Sequence, residues 1–189
     1  MTRTRWIRIA HALATVTVIA AAVALWHRLP SPDDVYGPFD VRAAMGEQAV
    51  GRAIEAQVNG ARIAPLLGKG RTPALQAAGI WVVLDVEVMS RRGFEAPMAE
   101  LTVGPNTYLP SDRVLQGLLG SLAAGIAVRD SWIFDVPAEL VADAHQMILR
   151  VSVGDGRLDS RLVLPIPLDD QRVVRSALVH LEAGTQVGL

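Results

Sequence analysis

The stretch GIWVVLDVEVMS, residues 79–90, decides the fold of this chain. Successive side chains of an extended strand point to opposite faces of a sheet. The even positions are aliphatic throughout: Val82, Leu84, Val86 and Val88. The odd positions begin apolar at Trp81 and Val83 and become acidic at Asp85 and Glu87. This alternation predicts a strand that lines a core with its even face.

The same period of two recurs on both sides of this strand and predicts further short strands. Gly- and Pro-containing turns separate them, and Asn59-Gly60 predicts a two-residue hairpin turn between a strand ending at Val58 and a return strand from Ala61 to Leu66. Seven or eight strands of this kind predict an all-β fold, a sandwich of two antiparallel sheets. The other strands are expected at residues 101–103, 108–109, 132–136, 147–153 and 158–166.

The strand at 79–88, GIWVVLDVEV, resembles the G-x-W-V-V-V-D-V-x-V strand of exported immunoglobulin-like accessory domains of Gram-positive bacteria. Tyr108, Gly125-Ile126 and WIFDVP at 132–137 extend the resemblance over roughly residues 45–166. The resemblance implies an immunoglobulin-like β-sandwich behind a membrane or lipid anchor, and it implies no particular reaction. A long apolar loop and the extension at 168–189 depart from the family pattern.

An apolar segment, IAHALATVTVIAAAVALW at residues 9–26, precedes the β-rich region. It has the length of a single transmembrane helix, and Trp6 and Trp26 bracket it as interfacial aromatics do. Arginines before the segment predict an N-terminus in the cytoplasm and the rest of the chain outside. The expected organisation is a cytoplasmic N-terminus at 1–8, a signal anchor in the bilayer at 9–28, a linker at 29–39, a sandwich at 40–167 and an extension at 168–189 that could add an edge strand.

Cleavage of this segment as a signal peptide is the alternative, because Ala22-Val23-Ala24 forms an A-x-A site. Trp26, His27 and Arg28 are instead typical of an interfacial stop, which favours an anchor in the cell membrane. In that case the C-terminal domain is extracytoplasmic, whereas cleavage would release it as a secreted protein. No Cys follows the segment, which excludes a lipoprotein.

Composition and charge exclude several classes of function. The chain has 189 residues, a net charge of −1 and no cysteine, so thiolate catalysis and Cys-based zinc sites are excluded. Without the four arginines that flank the apolar segment, residues 29–189 hold 14 basic and 19 acidic side chains. A mildly acidic domain is a poor candidate for binding nucleic acid.

The motifs of known chemistry are not met, so we expect no catalytic, cofactor-binding or metal site and no enzyme. Gly120-Ser121 lies outside a G-x-S-x-G elbow. His145 and His180 have no partner at ligand spacing, and Gly68-Lys69-Gly70 does not complete a phosphate loop.

Two apolar features are candidates for a contact surface. Residues 114–128 carry no charge and place small residues beside four leucines on one helical face, which predicts a short helix or compact loop that either closes the sandwich or meets a partner. Trp81 and Val83 form an apolar patch on the second face of the central strand, unless a loop or the C-terminal segment covers them. The candidate contact residues are Trp81, Val83, Leu115, Leu118, Leu119 and Leu122.

Anchor, linker and binding-type fold together predict an accessory or interaction module, tethered to the bilayer through residues 9–28. Its expected partner is a membrane or envelope protein, as in a transporter-type complex. The alternative is a domain that binds or senses a small apolar or glycan ligand, which a pocket lined by Trp81, Trp132 or Tyr108 would favour.

Overall fold

The computed structural model describes residues 3–29, 36–70, 73–114, 117–154 and 157–187. It forms two compact units, Met1–Gly37 and Pro38–Leu189. The first unit consists of helix α1 (Arg3–Trp26), in which Trp6–Trp26 is long and apolar enough to cross a membrane or to act as a signal sequence. Its described side chains are all exposed.

The second unit is a β-sandwich of two sheets. The five-stranded sheet has the order β1-β9-β8-β5-β6, and the seven-stranded sheet has the order β10-β3-β4-β7-β12, with β2 and β11 also paired to β3. The strands are β1 (Phe39–Arg42), β2 (Ala49–Val50), β3 (Ile54–Lys69), β4 (Leu75–Ser90), β5 (Pro97–Val103), β6 (Asn106–Tyr108), β7 (Ala127–Val136), β8 (Gln146–Val153), β9 (Ser160–Pro167), β10 (Val173–Arg175), β11 (Leu178–Leu181) and β12 (Thr185–Val187). A short helix, α2 (Ala138–Asp143), joins β7 to β8.

The main core lies between the two sheets, as the alternation in β4 predicts. The four even-numbered aliphatic residues of β4 are at most 2% exposed and belong to this core. Leu101 of β5 and Leu149 of β8 meet them from the opposite sheet, and Phe134 of β7 is fully buried beside them. Burial of this many aliphatic side chains is the main source of stability in such a domain.

The hairpin predicted at Asn59-Gly60 is wrong, because β3 continues through these residues. Val58 pairs with Val86 and Gly60 pairs with Asp85, so Asn59 is an extra residue, a β-bulge. The bulge changes which positions face the core, from Val58 before it to Ala61 after it. Neither Asn59 nor Gly60 has the positive φ that the predicted type of turn requires.

The extension at 168–189 is part of the sandwich. It forms β10 and β11, which pair in parallel with β3, and then β12, which pairs in an antiparallel manner with β7 at the other edge of the same sheet. Val173 packs against the main core, and Val179 is buried in a second apolar cluster on the outer face of the sheet. The C-terminal segment therefore pairs with both edges of the seven-stranded sheet.

The bulge generates a test at two glycines. A Cβ added at Gly60 would meet its nearest atoms at 3.5 and 3.7 Å, which is ordinary contact, so Gly60→Ala should change the free energy of unfolding by less than about 1 kcal/mol. At Gly125, which has φ +74° and open space around it, Gly125→Ala should cost about 1–2 kcal/mol through the backbone alone. Urea unfolding of the full chain in detergent measures both. A loss above about 2 kcal/mol at Gly60 would favour the turn over the bulge.

Candidate functional site

Residues 178–187, which we call the C-terminal strap, run along one edge of the seven-stranded sheet, cross its outer face at 182–184 and reach the other edge. The strap comprises β11, the connection 182–184 and β12. Val179 of β11 packs in one cluster with Trp81 and Val83 of β4, both of which are fully buried, and with Ile133 of β7. The strap therefore covers the apolar half of the outer face.

Arg113 completes this cover from the side. Its guanidinium lies 5.1 Å from the centroid of the Trp81 ring, in a cation–π contact. It also donates hydrogen bonds to Asp135 Oδ2 at 3.0 Å and to the carbonyl oxygen of Gln76 at 2.7 Å. The indole Nε1–H of Trp81 donates to the carbonyl oxygen of Leu75 at 3.0 Å. Trp81 is thus held by its ring face and by its one polar atom.

Beyond Val83 the outer face becomes charged, and there the strap stands away from the sheet. The space between them is a groove of about 590 Å³. Side chains of three neighbouring strands form its floor, and the strap forms one wall. The groove is lined by Asn59, Arg62, Asp85, Val86, Arg129, Asp130, Ser131, Glu182, Ala183 and Thr185.

A cross-strand network forms the floor of the groove. Arg62 of β3 binds Asp85 of β4 through two donors, with Nε–Oδ2 at 2.8 Å and an Nη–Oδ1 distance of 2.5 Å. Ser131 of β7 donates its hydroxyl to Asp85 Oδ1 at 2.7 Å. Another guanidinium nitrogen of Arg62 donates to the carbonyl oxygen of His180 at 2.9 Å, so the network also holds the strap. Bidentate geometry of this kind fixes both partners.

The network suits binding and structure better than nucleophilic catalysis. A serine nucleophile needs a base that can accept its proton, and His fills this role in the common triads. The acceptor of the Ser131 proton is a carboxylate already bound by two donors of Arg62. Arg129, which binds Glu87 at 2.6 Å and keeps a 60% exposed side chain, is the groove residue best placed to contact a polar ligand.

Asp130 holds the 3₁₀ turn at Leu118 and lies close to the strap at Gly184. Its carboxylate accepts a hydrogen bond from the backbone N–H of Leu118 at 2.7 Å. Gly117 and Gly184 approach this carboxylate so closely that a Cβ at either position would clash with it. A second cavity of about 310 Å³ shares Asp130 and Ser131 with the groove and extends to Leu118 and Ile133.

The start of the C-terminal segment is clamped by Asp170 and Arg172. Arg172 binds both carboxylate oxygens of Asp170 and donates to the carbonyl oxygen of Met45 at 2.7 Å. Hydrogen bonds from the Arg172 side chain and from its backbone N–H lower the pKa of Asp170 from 3.8 to about 2. A carboxyl group with a lowered pKa stabilises the fold above its unfolded pKa, and this contribution is lost as the pH falls through about 2.

The structure does not bring the six predicted contact residues together on one surface. Trp81, Val83, Leu119 and Leu122 are at most 1% exposed, and a contact surface at these four positions is therefore wrong. Leu118 is 37% exposed, and Leu115 lies outside the described residues. The C-terminal strap and the second sheet bury these side chains, as the alternative for Trp81 anticipated.

Residues 114–128 form no helical face of four leucines in the part that the structure describes. Leu118–Gly120 is a single 3₁₀ turn, and Leu122 then pairs with Glu95 through hydrogen bonds of 2.8 and 2.9 Å. Leu119 and Leu122 point into the main core, while their neighbour Leu118 borders the second cavity. Of the two predicted alternatives, the described part of this segment is a compact loop and not a helix.

The sequence pattern does not predict the groove, because its residues are distant in sequence and form no motif. Only the change from Trp81 and Val83 to Asp85 and Glu87 along β4 marks its position. Within the described ranges, His, Asp and Glu side chains form no group of three or more that could hold a metal ion. Trp81 and Trp132 are both buried, and neither lines the groove or the second cavity.

Comparisons with known proteins give little further information. No family model matches the chain, and no curated protein matches it significantly. One solved structure, an uncharacterised β-sandwich protein from Clostridium difficile 630, is similar at 13% sequence identity with a TM-score of 0.43. The alignment covers 72% of this chain and 99% of that chain. A similarity of this size carries no argument about function.

Adjacent leucines test the placement of residues 114–128. Leu119→Asp should lower the free energy of unfolding by at least ~3 kcal/mol, because it places a lone carboxylate in the main core. Leu118→Asp, the matched control next to it, should cost less than ~1 kcal/mol because that side chain already reaches solvent. Urea unfolding monitored by near-UV circular dichroism measures both. Equal effects would contradict the assigned facing.

The strap provides a second matched pair. Val179→Asp should detach β11 from the outer face, because Val179 is 3% exposed among apolar side chains. Hydrogen exchange of the β11 amides should then become at least ~10-fold faster, while exchange in β8 and β9 stays slow. His180→Asp adds the same charge at an exposed neighbour and should leave exchange unchanged. Protection of β11 in the Val179 variant would show that the strap does not depend on this contact.

Proposed function

We propose that this chain is a membrane-tethered, extracytoplasmic accessory module of the exported immunoglobulin-like type found in Gram-positive bacteria. In this proposal α1 anchors the chain in the cell membrane, and the β-sandwich assists a membrane or envelope protein complex of the transporter type. The proposal includes no reaction, cofactor or nucleic acid.

The observation that carries the proposal is the full exposure of α1. Over Trp6–Trp26 this helix is apolar, yet none of it is buried. A helix with apolar residues on all sides is stable only inside a larger core or a bilayer. The 24 residues of α1 extend about 36 Å, which exceeds the roughly 30 Å hydrocarbon thickness of a bilayer.

The polar side chains of α1 are satisfied within the helix itself. Thr15 Oγ1 donates to the carbonyl oxygen of His11 at 2.9 Å, and Thr17 Oγ1 donates to that of Leu13 at 2.9 Å. His11 Nδ1 lies 2.7 Å from the carbonyl oxygen of Ile7, to which it donates. Internal partners of this kind reduce the cost of polar groups in lipid. They support a spanning helix.

Strand order supports the immunoglobulin-like part of the proposal. The orders β3-β4-β7 and β9-β8-β5-β6 correspond to A-B-E and G-F-C-C′ of an immunoglobulin sandwich, if β3 is equated with strand A. The C-terminal strap is then an addition that occupies both edges of the A-B-E sheet.

The alternative function, binding of a small ligand outside the cytoplasm, is favoured by the size of the groove. About 590 Å³ lies within the usual range for ligand pockets. Its charged and hydroxyl side chains suit a glycan or another polar molecule better than an apolar one. Arg129 is the groove residue we would expect to contact such a ligand.

Topology tests the proposal directly. With alkaline phosphatase fused after Leu189, the full chain should give an active enzyme, because Arg3, Arg5 and Arg8 retain the N-terminus in the cytoplasm. The full chain with green fluorescent protein fused after Leu189 should give no fluorescence in the same strain. The absence of cysteine allows a check with Ala138→Cys, which should react with a membrane-impermeant maleimide in whole cells. An inactive phosphatase fusion together with a fluorescent green fluorescent protein fusion would refute the proposed orientation. A mature chain that begins near Leu25 would instead show cleavage.

A further inference from the structure

One end of the sandwich contains the point at which the chain enters it. We call this end the proximal face: it comprises Phe39 and residues 51–53, 91–96, 122–126 and 157–160. Hydrogen bonds join these segments. Phe39 N–H donates to the carbonyl oxygen of Asp159 at 2.8 Å, and Arg91 N–H donates to that of Ala53 at 2.8 Å. Arg52 N–H donates to Ser160 Oγ at 2.7 Å.

The proximal face exposes four large apolar side chains. Phe94 is 80% exposed and Phe39 is 59% exposed, while Leu158 and Ile126 are 48% and 38% exposed. Single exposed apolar residues are common on protein surfaces. Four of them on connected loops at one end form a cluster, and such clusters mark contact surfaces.

Leu158 is held outward at a cost in backbone energy. Its φ of +52° makes it the one non-glycine residue with positive φ in the described part of the chain. This conformation is unfavourable for residues other than Gly, Asn and Asp. The Leu158 carbonyl oxygen accepts a hydrogen bond from the Arg52 guanidinium at 2.9 Å, which holds the turn. A strained, solvent-exposed leucine is unexplained by packing within the domain.

Arginines surround these apolar side chains. Arg52 and Arg157 are exposed, and Arg91 and Arg92 have side chains that are 44% and 50% exposed. Among the described residues, the carboxylates of Glu95 and Asp159 on this face and of the neighbouring Glu55 leave an excess of one positive charge. The excess is distinctive because residues 38–189 as a whole hold 14 basic and 17 acidic side chains.

The arginines are positioned by the loops rather than left free. Arg91 pairs with Glu55 at 3.1 Å and donates to the carbonyl oxygen of Gly51 at 2.8 Å. Arg92 pairs with Asp159. Arg161 similarly balances Asp40 beside Phe39, at 2.7 Å. The face thus combines fixed guanidinium groups with projecting aromatic and aliphatic side chains, a composition that suits the interface between water and lipid.

We propose that the proximal face docks onto the surface of the bilayer. The apolar side chains of Phe39, Phe94, Leu158 and Ile126 enter the interfacial region, and the arginines contact lipid phosphates. This inference rests on the proposed tethering by α1. The twelve residues between Trp26 and Phe39 span at most about 45 Å, which limits how far Phe39, where the chain enters this face, can lie from the end of α1. Tethering raises the effective concentration of the surface, so weak contacts suffice.

Single cysteine probes test the docking, since the natural chain has none. Ala96→Cys lies in the proximal face, and Ala138→Cys lies in α2 at the other end of β7; both alanines are exposed. The full chain, labelled with an environment-sensitive dye, is reconstituted into phosphatidylcholine vesicles with and without phosphatidylglycerol. Spin-labelled lipid should quench the probe at 96 and not the probe at 138. Anionic lipid should raise the docked-to-undocked ratio about fivefold for each positive charge of the face that its carboxylates leave unbalanced, because the negative surface potential attracts that charge.

A double variant tests the apolar contacts without changing the fold. Phe94→Ser with Leu158→Asn removes two exposed apolar groups, and Asn tolerates positive φ. The urea midpoint should therefore stay equal or rise, while quenching at 96 should fall to the level at 138. Quenching that is unaffected by this variant would overturn the role of these side chains.

A third probe separates docking from tethering. Val16→Cys lies in the middle of α1, and deep spin labels should quench it if the helix spans the bilayer. A quenched probe at 16, together with equal signals at 96 and 138, would overturn docking and leave the anchor intact. An unquenched probe at 16 would refute the tethering itself, and docking with it.

Discussion

Strand β4 carries apolar side chains on both faces between Trp81 and Leu84, and neither face can be left in water. The five-stranded sheet covers the inner face, with Leu84 in the core between the sheets. The outer face needs a second cover because Trp81 and Val83 would otherwise expose a large apolar area to water. Val179 and the rest of the C-terminal strap supply it. The path of residues 178–187 therefore follows from the apolar side chains at positions 81–84 of β4.

The change of polarity along β4 explains why a groove lies beside this cover. At Asp85 the outer face becomes charged, and a carboxylate there needs partners rather than apolar cover. Arg62 and Ser131 provide these partners from the two neighbouring strands. Because the strap cannot pack closely on this polar surface, open volume remains under residues 182–184. The same alternation pattern thus produces a packed half and an open half on one face of one sheet.

The alternation of apolar and polar residues predicts much of the fold correctly. The strands at Trp132 and Met147, their facing and the core residues of β4 follow from the period of two. The prediction fails at Asn59-Gly60, where a residue pair typical of hairpins lies in a bulge. The signal was present: apolar positions run through Ile54 and Val58 and then continue at Ala61 and Ile63, a change of parity that an inserted residue produces. The groove could not be predicted in this way, because its lining comes from β3, β4, β7 and the strap, and pairing between distant strands leaves no local pattern.

If α1 anchors the chain as proposed, the proximal face and the groove have different roles. A tether without any further contact would leave the sandwich free to rotate, and a partner would then have to select one orientation at an entropic cost. Contact of Phe94 and Leu158 with the bilayer would fix that orientation before the partner arrives. The groove at Arg129 lies on a sheet face rather than at this end of the sandwich, so such docking would leave it accessible. Positive φ at Leu158 is consistent with this division of roles, because strain retained at an exposed leucine has a function only if something outside the domain contacts it.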